Sequence, residues 1–161
     1  MPAALQGGVA RFHRRVSGIS SRMSGYAIAR ADEVDDAYAG SEVPGEFRSF
    51  KEALGCEQIA VTLIRIPPHS DFEQGSGHFH EGLEEVYIVS SGTLTMRFGN
   101  EIEQVDSGSV VRVAPATPRS HRNEGDDPVE MWAVSRRAED DGGTKVDDFW
   151  EASPEAAQRR D

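Results

Sequence analysis

The chain has one cysteine in 161 residues, Cys56, so no disulfide can form within it, and such usage fits a reducing cytoplasm. Cys56 falls beside an expected strand with no charge cluster around it, which reads as a buried, inert thiol rather than a nucleophile. No apolar run approaches the length of a membrane span, and the N-terminus lacks the apolar core of a secretory signal. A membrane partner is therefore not expected, and the expected location is cytoplasmic. Positive charge is scarce as well, with 17 Lys and Arg against 28 Asp and Glu and a net charge of −11. The shortage is uneven, because residues 1–30 carry five arginines and no acid, leaving −16 on the remainder. An acidic body repels phosphate backbones and anionic lipid surfaces, which argues against nucleic acid as a partner. The Arg- and Ser-rich head has the composition of a transit peptide, but Met23-Ser-Gly-Tyr also reads as a second possible start. Residues 1–23 are expected to be a disordered extension, residues 24–136 a single domain, and residues 137–161 a polar tail.

What the chain does contain is short apolar segments punctuated by turns. Residues 24–45 are polar, with Ile28-Ala29 as a possible short edge strand and Asp32–Asp36 as a loop or helical turn. Gly40 to Gly45 marks a boundary. Strands are predicted over Phe47–Leu54 and Ile59–Ile66, the second stopped by Pro67-Pro68. His69 follows in a polar loop, as a solvated histidine. Thr93–Phe98 alternates, placing Leu94, Met96 and Phe98 on one face and Thr93, Thr95 and Arg97 on the other. Gly99-Asn100 is a hairpin turn, Ile102–Val105 returns, and Asp106-Ser-Gly108 turns into Val110–Val113. Val129–Ser135, with Trp132 as a core residue, completes the series. Short strands at such spacing mean an all-β sandwich or barrel. In the tail, Phe149 and Trp150 are expected to pin a short segment back onto the barrel or a partner, with fraying past Ser153.

The chemistry concentrates in GSGHFHEGLEEVYIVSSG, residues 75–92. Strand alternation points the imidazoles of His78 and His80 one way and Phe79 the other. Glu81-Gly-Leu-Glu84 can turn, and Glu85 opens a second β-branched and aromatic run. Should the two strands lie side by side, two nitrogens and one oxygen converge. Such a donor set suits a divalent Fe, Mn, Ni, Cu or Zn ion and leaves coordination positions open.

This stretch resembles the first motif of the cupin superfamily, G-x5-H-x-H-x3-4-E-x6-G. His80, Glu85 and Gly92 keep the spacing; Glu84 also satisfies the first interval but then misses the glycine, so Glu85 is preferred. Phe72 stands where the motif opens with glycine. The second motif, G-x5-P-x-G-x2-H-x3-N, corresponds to residues 108–123, with Gly108 and Asn123 at its ends. Inside it, Ala114 replaces the proline, Ala116 the glycine and Arg119 the last metal-binding histidine. The resemblance spans residues 45–136 and implies a jelly-roll cupin barrel, a double-stranded β-helix.

In that register Arg119 faces the barrel interior, where a guanidinium cannot ligate a metal. It could grip an acidic ligand through two parallel bonds, or pair internally with Glu85. His121 shares its face, as a substrate-facing group or, after a two-residue slip, a ligand; the unslipped register keeps Asn123 in place. Tyr87 and Met96 line the cavity or fill the core. Two functions remain open. One is a small metalloenzyme with a divalent metal on His78, His80 and Glu85, acting as an oxygenase, isomerase, lyase or decarboxylase. The other is a binding or sensing barrel without chemistry or metal. Both take a small-molecule ligand, and exposed edge strands lead us to expect a homodimer. A fused transcription regulator is not expected, as no DNA-binding helical segment precedes the barrel.

Overall fold

The computed structural model describes residues 25–138 and 142–151. Among them are ten strands and no α-helix: β1 Glu46–Ser49, β2 Ile59–Ile66, β3 Gly77–Phe79, β4 Glu85–Ser91, β5 Thr93–Phe98, β6 Glu101–Asp106, β7 Val110–Val113, β8 Arg119–Arg122, β9 Val129–Arg136 and β10 Thr144–Val146. They form two five-stranded sheets, ordered β1-β2-β9-β4-β7 and β10-β3-β8-β5-β6. Every pair is antiparallel. This is the double-stranded β-helix expected from the sequence.

Period-two alternation builds the core between the sheets. Ile64 and Ile66 of β2, Tyr87 and Val89 of β4, and Met131 of β9 meet Leu94 and Met96 of β5 and Val105 of β6. Turns fix the register. Gly99 has φ 56° and Asn100 does not share a positive φ, so the two-residue β5–β6 loop places its glycine first, as a type II′ hairpin does. Gly92 joins β4 to β5 at φ 76°, and a Cβ there would lie 2.7 Å from the Pro128 carbonyl oxygen. Asn123 is a buried latch: its amide nitrogen donates to the carbonyls of Ile66, Pro67 and Asp127 at 3.2, 3.1 and 2.8 Å, and its Oδ1 accepts from the Gly125 amide at 2.9 Å.

Several expectations are corrected. Ile28-Ala29 is no strand; Ile28 is 84% exposed, and Ala29 packs with Val34 in a second cluster on the outer face of the first sheet. The strand expected over 47–54 stops at Ser49. Phe50 and Leu54 are one helical turn apart, with the Leu54 amide donating to the Phe50 carbonyl at 2.9 Å, so both pack with Leu63 and Trp132. Cys56 is half-buried in a loop rather than buried. The alternation of β5 holds, and its polar face is covered as well: Thr95 and Arg97 are buried, and the Arg97 guanidinium lies 4.9 Å from the Phe149 ring centre.

The tail does more than pin. β10 pairs with β3, Phe149 is buried, and Trp150 Nε1 donates to Ser120 Oγ at 2.8 Å beneath the Arg122 guanidinium, 4.0 Å above its ring. Gly77 makes room for this, since a Cβ would sit 2.7 Å from Phe149 Cδ1 and 2.8 Å from the Arg119 carbonyl oxygen. The expectations for residues 1–23 and beyond Ser153 lie outside the described residues. No helix of the described residues is long and apolar enough to cross a membrane.

Candidate metal centre

The three donors converge, but not as neighbours within one sheet. β3 pairs with β8 and β10, whereas β4 pairs with β7 and β9. His78 and His80 therefore face Glu85 across the sandwich. The Nε2 atoms of His78 and His80 are each 3.9 Å from Glu85 Oε2, and one donor atom from each residue lies within 4.8 Å of the others. Glu84, the rejected alternative, points out and pairs with Arg112.

The neighbourhood of Glu85 is tightly paired. Tyr87 OH and Arg119 Nη2 both donate to Glu85 Oε2, and Arg119 Nε donates to Tyr87 OH at 3.3 Å. Arg119 is fully buried and sits opposite His78 in the register of β8 with β3, so the unslipped register holds. Of the roles left open for Arg119, the internal pair with Glu85 is the one the structure contains. Burial works against the charge on Glu85, yet His78, Tyr87 and Arg119 together bring its carboxyl down to about 2. Burial pushes the Tyr87 phenol well above its ordinary range, and the adjacent Glu85 charge adds to that, so it is a donor here.

Glu73 was not anticipated. It lies between β2 and β3, where the Asp71 carboxylate accepts from the Glu73 amide at 3.0 Å and the Gly75 amide at 2.7 Å, a side-chain turn that folds Glu73 inward. Its Oε2 is 3.0 Å from His78 Nδ1, and its Oε1 is 3.0 Å from His121 Nδ1, off the line of a straight hydrogen bond. Burial opposes its ionisation, but His121 and His78 hold the carboxyl at about 2. Burial likewise opposes a charged His78, but hydrogen bonds to Glu73 and Glu85 raise it to about 9. The one signal in the sequence was Asp71 four residues before Gly75, which marks a turn and not a site. His121 faces the interior, its ring stacked on Phe72 at 5.8 Å between centres and tilted against Tyr87 at 6.2 Å. His69 is an exposed loop residue 2.9 Å from Asp126, as expected.

Glu73, His78, His80, Glu85, Tyr87 and His121 line a cavity of about 390 Å³. Its inner wall carries His78, His80, Glu85 and His121, and Tyr38, Phe47 and Phe72 form an aromatic side. Lys51, Arg136 and Arg137 also line it, with Lys51 Nζ 3.7 Å and Arg137 Nη2 3.5 Å from Glu52 Oε1. Gly143, just before β10, closes the wall behind His80, 3.0 Å from its Cε1 as measured from the position of a Cβ.

The residues present fit a divalent ion. Nitrogen and oxygen donors bind at roughly 2.1 Å, so donors on one ion lie within about 4.2 Å of each other. The 3.9 Å separations fall inside that span, and the 4.8 Å outer limit needs only a sub-ångström closure. Glu73 on His78 Nδ1 leaves Nε2 directed at the centre, the usual support for a metal-binding imidazole.

Residues 62–135 match the cupin domain (Cupin_2). No curated protein matches the chain. Among solved structures, it is similar to a provisionally assigned sugar phosphate isomerase of Acidithiobacillus ferrooxidans at 25% identity and TM-score 0.54, over 60% of this chain and 62% of that one. A sugar phosphate isomerase of Silicibacter pomeroyi is 20% identical with TM-score 0.57, over 70% and 76% of the two chains. The polyketide cyclase RemF of Streptomyces resistomycificus is 16% identical with TM-score 0.59, over 79% and 88%, a likeness of fold alone.

Proposed function

Because the chain carries a cupin domain, we propose that it is a metal-dependent isomerase or lyase acting on a small organic anion inside the barrel. The observation that carries this reading is the meeting of His78, His80 and Glu85 donors within 4.8 Å on the wall of the cavity. These three residues would hold a divalent ion, which supplies Lewis-acid polarisation of a substrate oxygen. Lys51, Arg136 and Arg137 draw an anionic substrate inward, a role the sequence had offered to Arg119. Tyr87 and Arg119 fix the Glu85 carboxylate, and the aromatic side excludes water from the apolar part of the ligand. Similarity to two proteins described as sugar phosphate isomerases supports this substrate class.

A second reading has its own support. Arg119 and Tyr87 already occupy Glu85 Oε2, an arrangement also suited to a metal-free binding barrel. Elemental analysis of protein purified without chelator separates the two. The enzyme reading expects close to one divalent ion per chain, lost in His80→Ala. Metal-free protein, with His80→Ala melting like the wild type, would leave the binding barrel.

A further inference from the structure

His121 is 2% exposed and lines the cavity, yet its Nε2 has no hydrogen-bond partner among the described residues. A buried polar atom left in that state costs about 1–3 kcal/mol, and native proteins contain few. Its other nitrogen makes no straight hydrogen bond either, but it lies beside a carboxylate. Nδ1 lies 3.0 Å from Glu73 Oε1, the carboxylate whose second oxygen contacts His78 Nδ1 at the same distance. A lone pair on His121 Nδ1 would be repelled by the carboxylate, so that nitrogen carries a hydrogen, and in the Nδ1–H tautomer Nε2 is the acceptor.

We propose that Glu73 is a positioning residue serving two imidazoles, and that His121 Nε2, so presented, accepts a hydrogen bond from a hydroxyl of the ligand at a point that needs no metal. The ligand class is then a small hydroxylated anion, with its hydroxyl at His121 and its charge toward Lys51, Arg136 and Arg137. This deepens the reading of the cavity as an anion site and rests on it. Glu73 also links the two binding points, because one carboxylate sets the orientation of a metal-donor ring and of a ligand-contacting ring. The ring stacking of His121 on Phe72 keeps Nε2 from turning away.

The test uses the full chain, labelled with ¹⁵N-histidine and stripped of metal by chelator. Multiple-bond ¹H–¹⁵N spectra report which imidazole nitrogen carries hydrogen, with His121→Gln supplying the assignment. The wild type should show hydrogen on Nδ1 of His121, and Glu73→Gln should erase that preference. Added millimolar glycerol phosphate should move the Nε2 signal, while propyl phosphate, which lacks the hydroxyls, should not. Hydrogen on Nε2 in the wild type overturns the proposal without any variant having to fold. So does an equal response to the two phosphates, or a response to neither. Zinc titration gives an independent arm, in which Glu73→Gln weakens binding about 10- to 100-fold through His78. Zinc that binds nowhere would end the metal reading while leaving the His121 result standing. Tight zinc with an unmoved Nε2 would do the reverse.

Discussion

Replacing Arg119 by Met separates the two uses of Glu85. The Arg119 side chain is 1% exposed and that of Glu85 13%, so the pair is shielded from solvent. Removing one member of such a pair typically costs about 3–5 kcal/mol, because the remaining charge stays buried. Tyr87 and His78 still contact Glu85, which places the expectation near the lower figure. At about 4 °C per kcal/mol for a domain of this size, metal-free protein should melt roughly 12 °C lower. The sign for metal is opposite. A unit positive charge about 6 Å from a divalent ion opposes it by roughly 5 kcal/mol at an effective dielectric near 20. With solvent screening allowed for, about 2 kcal/mol is the expectation, or zinc bound some 30-fold more tightly. Calorimetric melts and zinc titrations of the purified variant measure both. A variant that melts with the wild type and binds zinc no better would refute the idea that Arg119 and a metal compete for Glu85.

Other predictions address the same groups and their supports. The folded carboxyls of Glu73 and Glu85, held at about 2 against an ordinary 4.5, contribute stability that is present above pH 4.5 and lost as pH falls toward 2. His78, raised to about 9 from 6.5, contributes stability that is full below pH 6.5 and lost as pH rises through 9. Metal-free melts from pH 2 to 10 should therefore fall on both sides, and Glu73→Gln should shallow both limbs; a pH-flat profile would contradict these pairings. Gly77→Ala sets a methyl against Phe149 and the Arg119 carbonyl and should lose about 1–3 kcal/mol in denaturant unfolding. Phe149→Ala in the same chain should relieve part of that loss, and strictly additive losses would count against the contact. Ile88 and Val110 pair as exposed neighbours on the outer face of the first sheet, and we expect a homodimer there. Sedimentation at micromolar concentration should give a dimer mass that Val110→Lys lowers; a wild-type monomer would refute it.

How much of this was legible in the sequence depends on whether the cause was local. Turn residues fixed the strand ends at Pro67, Gly92 and Gly99, and the two-residue alternation of β2, β4 and β5 named the inward faces. The motif spacing delivered His78, His80 and Glu85, and Asn123 fixed the register that puts Arg119 inside. What the sequence hid was long-range. Adjacent strands in the chain, β3 and β4, belong to opposite sheets, so convergence came from closing the sandwich rather than from a hairpin. Glu73 sits in a loop whose inward fold depends on the Asp71 turn and on histidines five and forty-eight positions away. The burial of Arg97 and Thr95 was equally invisible, because their cover arrives from distant side chains.

The C-terminal strap has a consequence for how the molecule comes into being. By the time residue 123 leaves the ribosome, every polar group of the barrel interior described above except Arg136 and Arg137 has been synthesised. The backing of His80 and the cover over Gly77, however, wait for Gly143, β10 and Phe149. A nascent barrel thus has its donors in hand before it has its outer wall. Zinc present during synthesis should be captured by an open form and sealed in afterwards, so that loading the finished protein is slower than loading one cleaved at residue 140.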